Sequence, residues 1–184
     1  MLGWIILAIV IGIIAIWFVA GYNGFITMRN RIEEAFATMD VYLKKRYDLI
    51  PNLVETVKGY AAHEQGTLEK VVAARNMAAS ANSMEEKLKG ETQLQATLKS
   101  LFAVAEAYPD LKANTNFMDL QRQLQKLEDE IASARKYYNA VVKEFNTKTE
   151  LFPSNLIAGI FHFTRKTMFE VDDQTQRDAV KVQF

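Results

Sequence analysis

FMDLQRQLQKLEDEIASARKYYNAVVKEF, residues 117–145, places Phe117, Leu120, Leu124, Leu127, Ile131, Ala134, Tyr138, Val141 and Phe145 at alternating steps of three and four residues. An apolar seam of period 3.5 belongs to a helix that must bury it against another helix. Asn116 stands just ahead of the seam, where a side-chain oxygen can cap the first turn. Packed on other helices of the same chain, the seam gives a left-handed antiparallel bundle; packed on a second chain, it gives an oligomeric coiled coil. The short breaks near Asn82 and Pro109 favour packing within the chain.

Upstream of Pro109-Asp110, residues 84–108 form a second arm, with Leu88, Leu94, Leu98, Leu101, Ala105 and Tyr108 on its apolar face. The first arm carries Ile32, Phe36, Met39, Leu43, Tyr47, Ile50, Val54, Val57 and Ala61 along one stripe. Pro51 interrupts it: proline lacks the amide that would bond the Tyr47 carbonyl, so a kink or a restart is expected there. Lys44, Lys45 and Arg46 then read as a charged end on the membrane side. Leu68, Val71, Val72, Arg75 and Ala79 extend or resume the helix to about Ala81, where Ala-Asn-Ser breaks it.

Ahead of the first arm, LGWIILAIVIGIIAIWFVAG (residues 2–21) contains no charged side chain. About 20 apolar residues suffice for a helix to cross roughly 30 Å of hydrocarbon. Insertion of this stretch is favourable by on the order of 5 kcal/mol. Trp4 at one end, with Trp17 and Tyr22 at the other, sit where amphipathic rings favour headgroups. A signal peptide would need a basic leading region, which Met1 to Trp4 does not supply, so the reading is an uncleaved, single-pass anchor in the cell membrane. Arg29, Arg31 and Lys44 to Arg46 follow the span, which puts the N-terminus outside and the bundle in the cytoplasm; Glu33, Glu34 and Asp40 dilute that signal.

After the seam, Phe152-Pro153 ends the helix. Leu156, Ile157, Ile160, Phe161 and Phe163 are apolar but too few to span, so they dock on the bundle, the favoured reading, or lie on the membrane beside Arg165 and Lys166. Val180 to Phe184 alternate in a way that suits a short strand or a ligand for a sheet edge, with a frayed tail favoured. The organisation expected is a transmembrane helix over 1–22, a helical bundle over 23–150 and a C-terminal apolar segment and tail over 151–184.

Composition narrows the function classes. Lys and Arg number 22 against 22 Asp and Glu in 184 residues, so nothing marks a nucleic-acid binder. The absence of Cys excludes disulfides, thiolate metal sites, a Cys nucleophile and a lipidated Cys. Three Pro and eight Gly, among long runs of good helix formers, point to an all-α fold. His63-Glu64 opens like the zincin motif, but Thr67 occupies the place of its second His. A di-iron bundle fails likewise, because Tyr60 and Gly159 stand three residues ahead of His63 and His162. No P-loop or dinucleotide turn is present. Glu106, Glu128, Asp129, Glu130 and Arg135 read as solvated faces or interhelical pairs. Asp48 and Asn52 flank Pro51, where they could satisfy freed backbone groups. With Glu55 and Lys58 they form the candidate partner surface; Trp4, Trp17, Tyr22, Ile160, Phe161 and Phe163 form the candidate membrane interface. No catalytic, metal or cofactor residue is assigned, and no enzyme is expected.

The run YDLIPNLVETVKGYAAHE (residues 47–64) resembles the signature of the LemA family of bacterial membrane proteins. MLGWII at the start, YNGF from Tyr22, RNRIEEAF from Arg29, AVAEAYPDLKAN from Ala103, NFMDLQ from Asn116, ARKYYN from Ala134 and LFPSNLIAG from Leu151 resemble it in the same order. The likeness covers about 150 residues, the length of a whole domain. It implies one N-terminal membrane helix and a bent bundle of long helices, with no established catalytic activity. Family members are envelope or organelle-membrane proteins, some resembling magnetosome-membrane components. Their genes often neighbour those of membrane metalloproteases or TPM-domain membrane proteins, the partners the resemblance implies. Some relatives carry a lipoprotein Cys that this chain lacks. The function expected is a non-enzymatic membrane-anchored scaffold or adaptor that assembles with itself or with other membrane proteins in envelope or organelle-membrane maintenance. Its rivals are a lipid-binding, membrane-shaping protein and a metal-dependent hydrolase using His63.

Overall fold

A computed structural model describes residues 1–169; the alternating segment from Val180 to Phe184 lies outside the described residues. Every regular element among them is helical: α1 (Leu2–Lys58), a 3-10 turn (Ala62–Glu64), α2 (Gln65–Ser80), α3 (Met84–Glu106), α4 (Pro109–Lys112), α5 (Thr115–Glu150) and α6 (Ser154–Ile160).

The 57-residue α1 passes through Pro51 without a restart. The Tyr47 carbonyl, deprived of its helical donor by the proline ring, accepts a hydrogen bond from Arg75 Nε of α2 at 3.1 Å. Arg75 thus does at this carbonyl what the sequence reading gave to Asp48 and Asn52. The chain leaves the helix only after Lys58, and Ala61 and Tyr60 hold the turn through bonds from their amides to the Val57 carbonyl. α3 opens on a reciprocal cap: the Ser83 hydroxyl accepts from the Glu86 amide at 3.1 Å, and the Glu86 carboxylate accepts from the Ser83 amide. α5 is capped by Asn114, whose Oδ1 accepts from the Phe117 amide at 2.9 Å. The expected cap, Asn116, lies inside the first turn, because the helix begins at Thr115.

The chain forms two compact units, and α1 and α5 contribute to both. The first comprises Met1–Tyr42 and Asp129–Met168. Here α1 and α5 run antiparallel: Phe25 packs edge-on against Phe145, with centroids 5.8 Å apart, and Phe36 meets Tyr138 at 6.1 Å. The heptad seam is therefore answered within the chain; Ile131, Tyr138 and Phe145 are buried, as are Phe25, Ile32 and Met39 on α1. The chain after α6 is strapped to α5. Asn146 donates to the Lys166 carbonyl at 2.9 Å and accepts from the Lys166 amide at 2.8 Å, while the Tyr138 hydroxyl donates to the Thr167 carbonyl at 3.0 Å. Burial raises the Tyr138 phenol above its ordinary pKa, which keeps that donor protonated.

The second unit includes Leu43–Glu128. α2 and α3 form an antiparallel hairpin whose core includes Leu68, Val71, Ala74 and Ala78 facing Leu94, Leu98 and Leu101. The helices approach so closely at Gly90 that an added Cβ would lie 2.6 Å from the Ala78 Cα. Since that neighbour is backbone, nothing can swing aside, and only glycine fits.

The proline and arginine are expected to be coupled. Arg75→Met should cost about 1–3 kcal/mol by removing the Arg75 donor from the part-buried Tyr47 carbonyl. In a Pro51→Ala background, where the helix supplies its own donor, the same substitution should cost clearly less. A double-mutant cycle by urea unfolding in detergent checks this; equal costs in both backgrounds would refute the coupling.

Candidate functional site

Three features of the surface and core bear on function. The first is a buried charge cluster in the second unit. Arg46, 1% exposed, forms an ion pair through Nη2 with Glu91, which is 2% exposed, and a second through Nη1 with Glu128 Oε1 at 2.6 Å. The Tyr47 hydroxyl also donates to Glu91. One guanidinium thus bridges α1 to both α3 and α5, and the residue beside it ties α1 to α2 through its carbonyl. Burying such a pair is expensive, and its geometry survives because each charge has a partner.

Arg46, expected at a charged end on the membrane side, lies wholly in the core, and Glu128, expected on a solvated face or in an interhelical pair, is half-buried in such a pair with Arg46. A signal was present. Arg46 falls on a seven-residue spacing with Ile32, Met39 and Leu53, and Glu91 on one with Leu98 and Ala105, all buried. A charge in a heptad slot marks a buried ion pair when a second helix carries its opposite.

The second feature is an open groove of about 590 Å³ formed by the end of α1, the 3-10 turn and α2. Val54, Leu68 and Val72 give it an apolar floor, with Glu55, Lys58 and Asn76 among its polar lining. Glu55 and Lys58 lie 3.8 Å apart as an exposed pair. A recess of about 190 Å³ lined by Ile50, Pro51 and Arg75 shares Val54, Glu55, Val72 and Asn76 with the groove. Two of the four candidate partner residues, Glu55 and Lys58, thus line the groove; Asp48 and Asn52 are exposed on α1 outside its lining. Its size suits a side chain or short segment of a partner. His63 is exposed in the 3-10 turn, and among the described residues no three His, Asp or Glu side chains gather as metal ligands would.

The third feature is the anchor and what packs at its end. The N-terminal part of α1 is long and apolar enough to cross a membrane, and none of the described residues buries that apolar window. Of the candidate interface residues, Trp4, Trp17, Ile160 and Phe161 are exposed. Tyr22 is half-buried against Phe161, with ring centroids 4.5 Å apart, and Phe163 turns inward to stack on Phe25 at 4.8 Å. The sequence did not single out Phe25 or Lys148, whose Nζ sits 5.1 Å from the Phe25 ring centre.

An apolar helix that continues without interruption into packed helices defines the class: a helical-bundle protein with a long apolar N-terminal helix of membrane-spanning length. The chain belongs to the LemA family, whose model matches residues 35–184. It is similar to Protein LemA of Metamycoplasma hominis, with 24% identity across 92% of this chain and 78% of that protein. Magnetosome protein MamQ 2 of Paramagnetospirillum magneticum shows 26% identity across 81% of this chain and 64% of its own length. Magnetosome protein MamQ of Magnetospirillum gryphiswaldense shows 25% across 80% and 64%. This chain therefore spans somewhat less than two thirds of the magnetosome relatives.

Glu91→Ala, which removes the buried partner of Arg46, is expected to destabilise the protein by about 3–5 kcal/mol, whereas Arg46→Met combined with Glu91→Leu should cost less by removing both charges. Urea unfolding followed by circular dichroism checks the order. A double variant as unstable as Glu91→Ala would show that packing, not the stranded charge, sets the cost.

Proposed function

We propose that this protein is a membrane-anchored, non-catalytic adaptor that holds another membrane protein, or a second copy of itself, against its bundle. The observation that carries the reading is the groove at Glu55 and Lys58: a preformed apolar floor with charges of both signs at its edge, on the same unbroken helix that supplies the anchor. An apolar floor excludes water from a partner's side chain, and edge charges select its orientation. The heptad seam of α5 contributes nothing to this reading, since α1 already covers it in the first unit. Family membership supports a role in envelope or organelle membranes, where the magnetosome relatives by name belong. A membrane metalloprotease or TPM-domain protein is the partner class to look for first.

A photo-crosslinking residue placed at Glu55, Lys58 or Asn76 of the full-length protein in native membranes is expected to yield discrete adducts with a membrane protein or with a second copy. The same residue at Lys99, exposed on α3, should not. Adducts absent from all three groove positions would overturn the adaptor reading.

We further infer that the anchor is single-pass, with its N-terminus outside the cell membrane and the bundle in the cytoplasm, as the basic residues after the span favour. The chain has no Cys, so Ser133→Cys on the exposed face of α5 reports sidedness alone. Membrane-impermeant maleimide should label it only after lysis; labelling of intact cells would reverse the orientation.

A further inference from the structure

We propose that the corner at residues 151–153 and the following helix α6 form a second membrane-contacting element, a foot seated at the headgroup–acyl boundary beside the point where α1 leaves the bilayer. The inference rests on the reading of α1 as a membrane helix.

Depth is fixed by contacts within the first unit. Ile157 is fully buried and occupies the space a side chain at Gly21 would need. The Phe161 ring lies 5.6 Å from Phe18 and 4.5 Å from Tyr22. Phe18 and Tyr22 are one helical turn apart, a rise of about 6 Å. α6 is therefore held against the last turn of the apolar run, at the height where a spanning helix meets headgroups. Its end is fixed too: His162 adopts a left-handed conformation with φ of 56°, and the Phe163 amide bonds the Ala158 carbonyl at 2.9 Å, closing the helix so that Phe163 turns back into the core.

Ile157 and Ala158 fill the buried side of α6. The other side is apolar and bare: Leu151, Phe152, Leu156 and Ile160 are each more than half exposed, with Phe152 at 79%. Four large apolar side chains crowded into ten residues on a water-facing corner would be costly, and such patches mark an interaction surface. The occupant follows from position. A bilayer spanned by residues 2–21 necessarily reaches the height of Phe18, so lipid already lies beside this corner. Cations stand just beyond, where phosphates would be: the Lys148 amine is next to Gly24, and Lys166 is exposed. A short amphipathic helix with an apolar underside and basic neighbours is the form interfacial elements take.

The test uses the full-length protein in nanodiscs of phosphatidylcholine and phosphatidylglycerol, with an environment-sensitive fluorophore on single cysteines introduced as Phe152→Cys, Ile160→Cys, Ile9→Cys and Tyr137→Cys. All four positions are exposed in the structure, so labelling need not disturb packing. Fluorophores at 152 and 160 are expected to be quenched several-fold more by lipids spin-labelled near the headgroup than the fluorophore at 137, and several-fold less by aqueous iodide. If 152 and 160 behave as 137 does while 9 is quenched by lipid, the foot is wrong and the anchor stands. Shielding of 152 and 160 from both quenchers would mean that protein covers the corner, which also overturns the foot. Failure of lipid to reach residue 9 would refute the anchor reading itself.

Discussion

Where Ile157 fills the notch at Gly21 and Phe161 packs on Phe18 and Tyr22, α1 exchanges one surrounding for another. Before that point its side chains are bare; after it Phe25, Ile32, Met39 and Leu43 are buried. A single helix can serve both environments only if its composition changes where its neighbours do. In residues 2–21 apolar residues lie on every face, as lipid requires, and from Ile32 onward they narrow to a stripe, as a bundle requires. The first unit is organised about this boundary. Asn146 and Tyr138 strap the chain after α6 onto α5, which keeps α6 beside the boundary.

In the second unit the corresponding work falls to polar groups. Pro51 weakens α1 at one carbonyl, and Arg75 repairs it from α2. One turn earlier, Arg46 gathers carboxylates from α3 and α5. Both interactions join helices far apart in sequence, and both involve groups whose loss would leave a buried polar atom unsatisfied. The close approach at Gly90 completes the α2–α3 hairpin by a different means, the absence of a side chain. The groove lies next to this braced region, lined by α1, the 3-10 turn and α2.

Much of this was legible in the sequence because periodicity reports burial. The seam from Phe117 to Phe145 and the stripe on α1 each announce a helix and its buried side, the apolar run announces a helix without one, α3 begins at the expected Met84, and α5 begins two residues ahead of the expected Phe117. Arg46 is the misplaced feature: charge on a helix is ordinarily solvated, so residue type outweighs position. Its heptad slot and that of Glu91 carry the correct information, but only pairwise: a buried arginine makes sense once its carboxylate is known. Phe163 follows the favoured docking reading and not the membrane-interface one, for a reason of its own. A left-handed residue at His162 reverses the chain, and sequence gives little warning of that when the residue is not glycine.

A heptad seam repeats, and a repeating pattern cannot say which repeat is in place. Sliding α1 by seven residues along its neighbours would set one apolar side chain where another had been, at little cost to the seam. The Arg46 site abolishes that freedom. Displaced by one repeat in either direction, α1 would offer Met39 or Leu53 to Glu91 and bury a carboxylate without its cation, a penalty of several kcal/mol. The ion pair therefore acts as an index mark on a ruled scale, as the Ile157–Gly21 notch does in the first unit: each singles out one of several alignments that the seam alone would leave nearly equivalent.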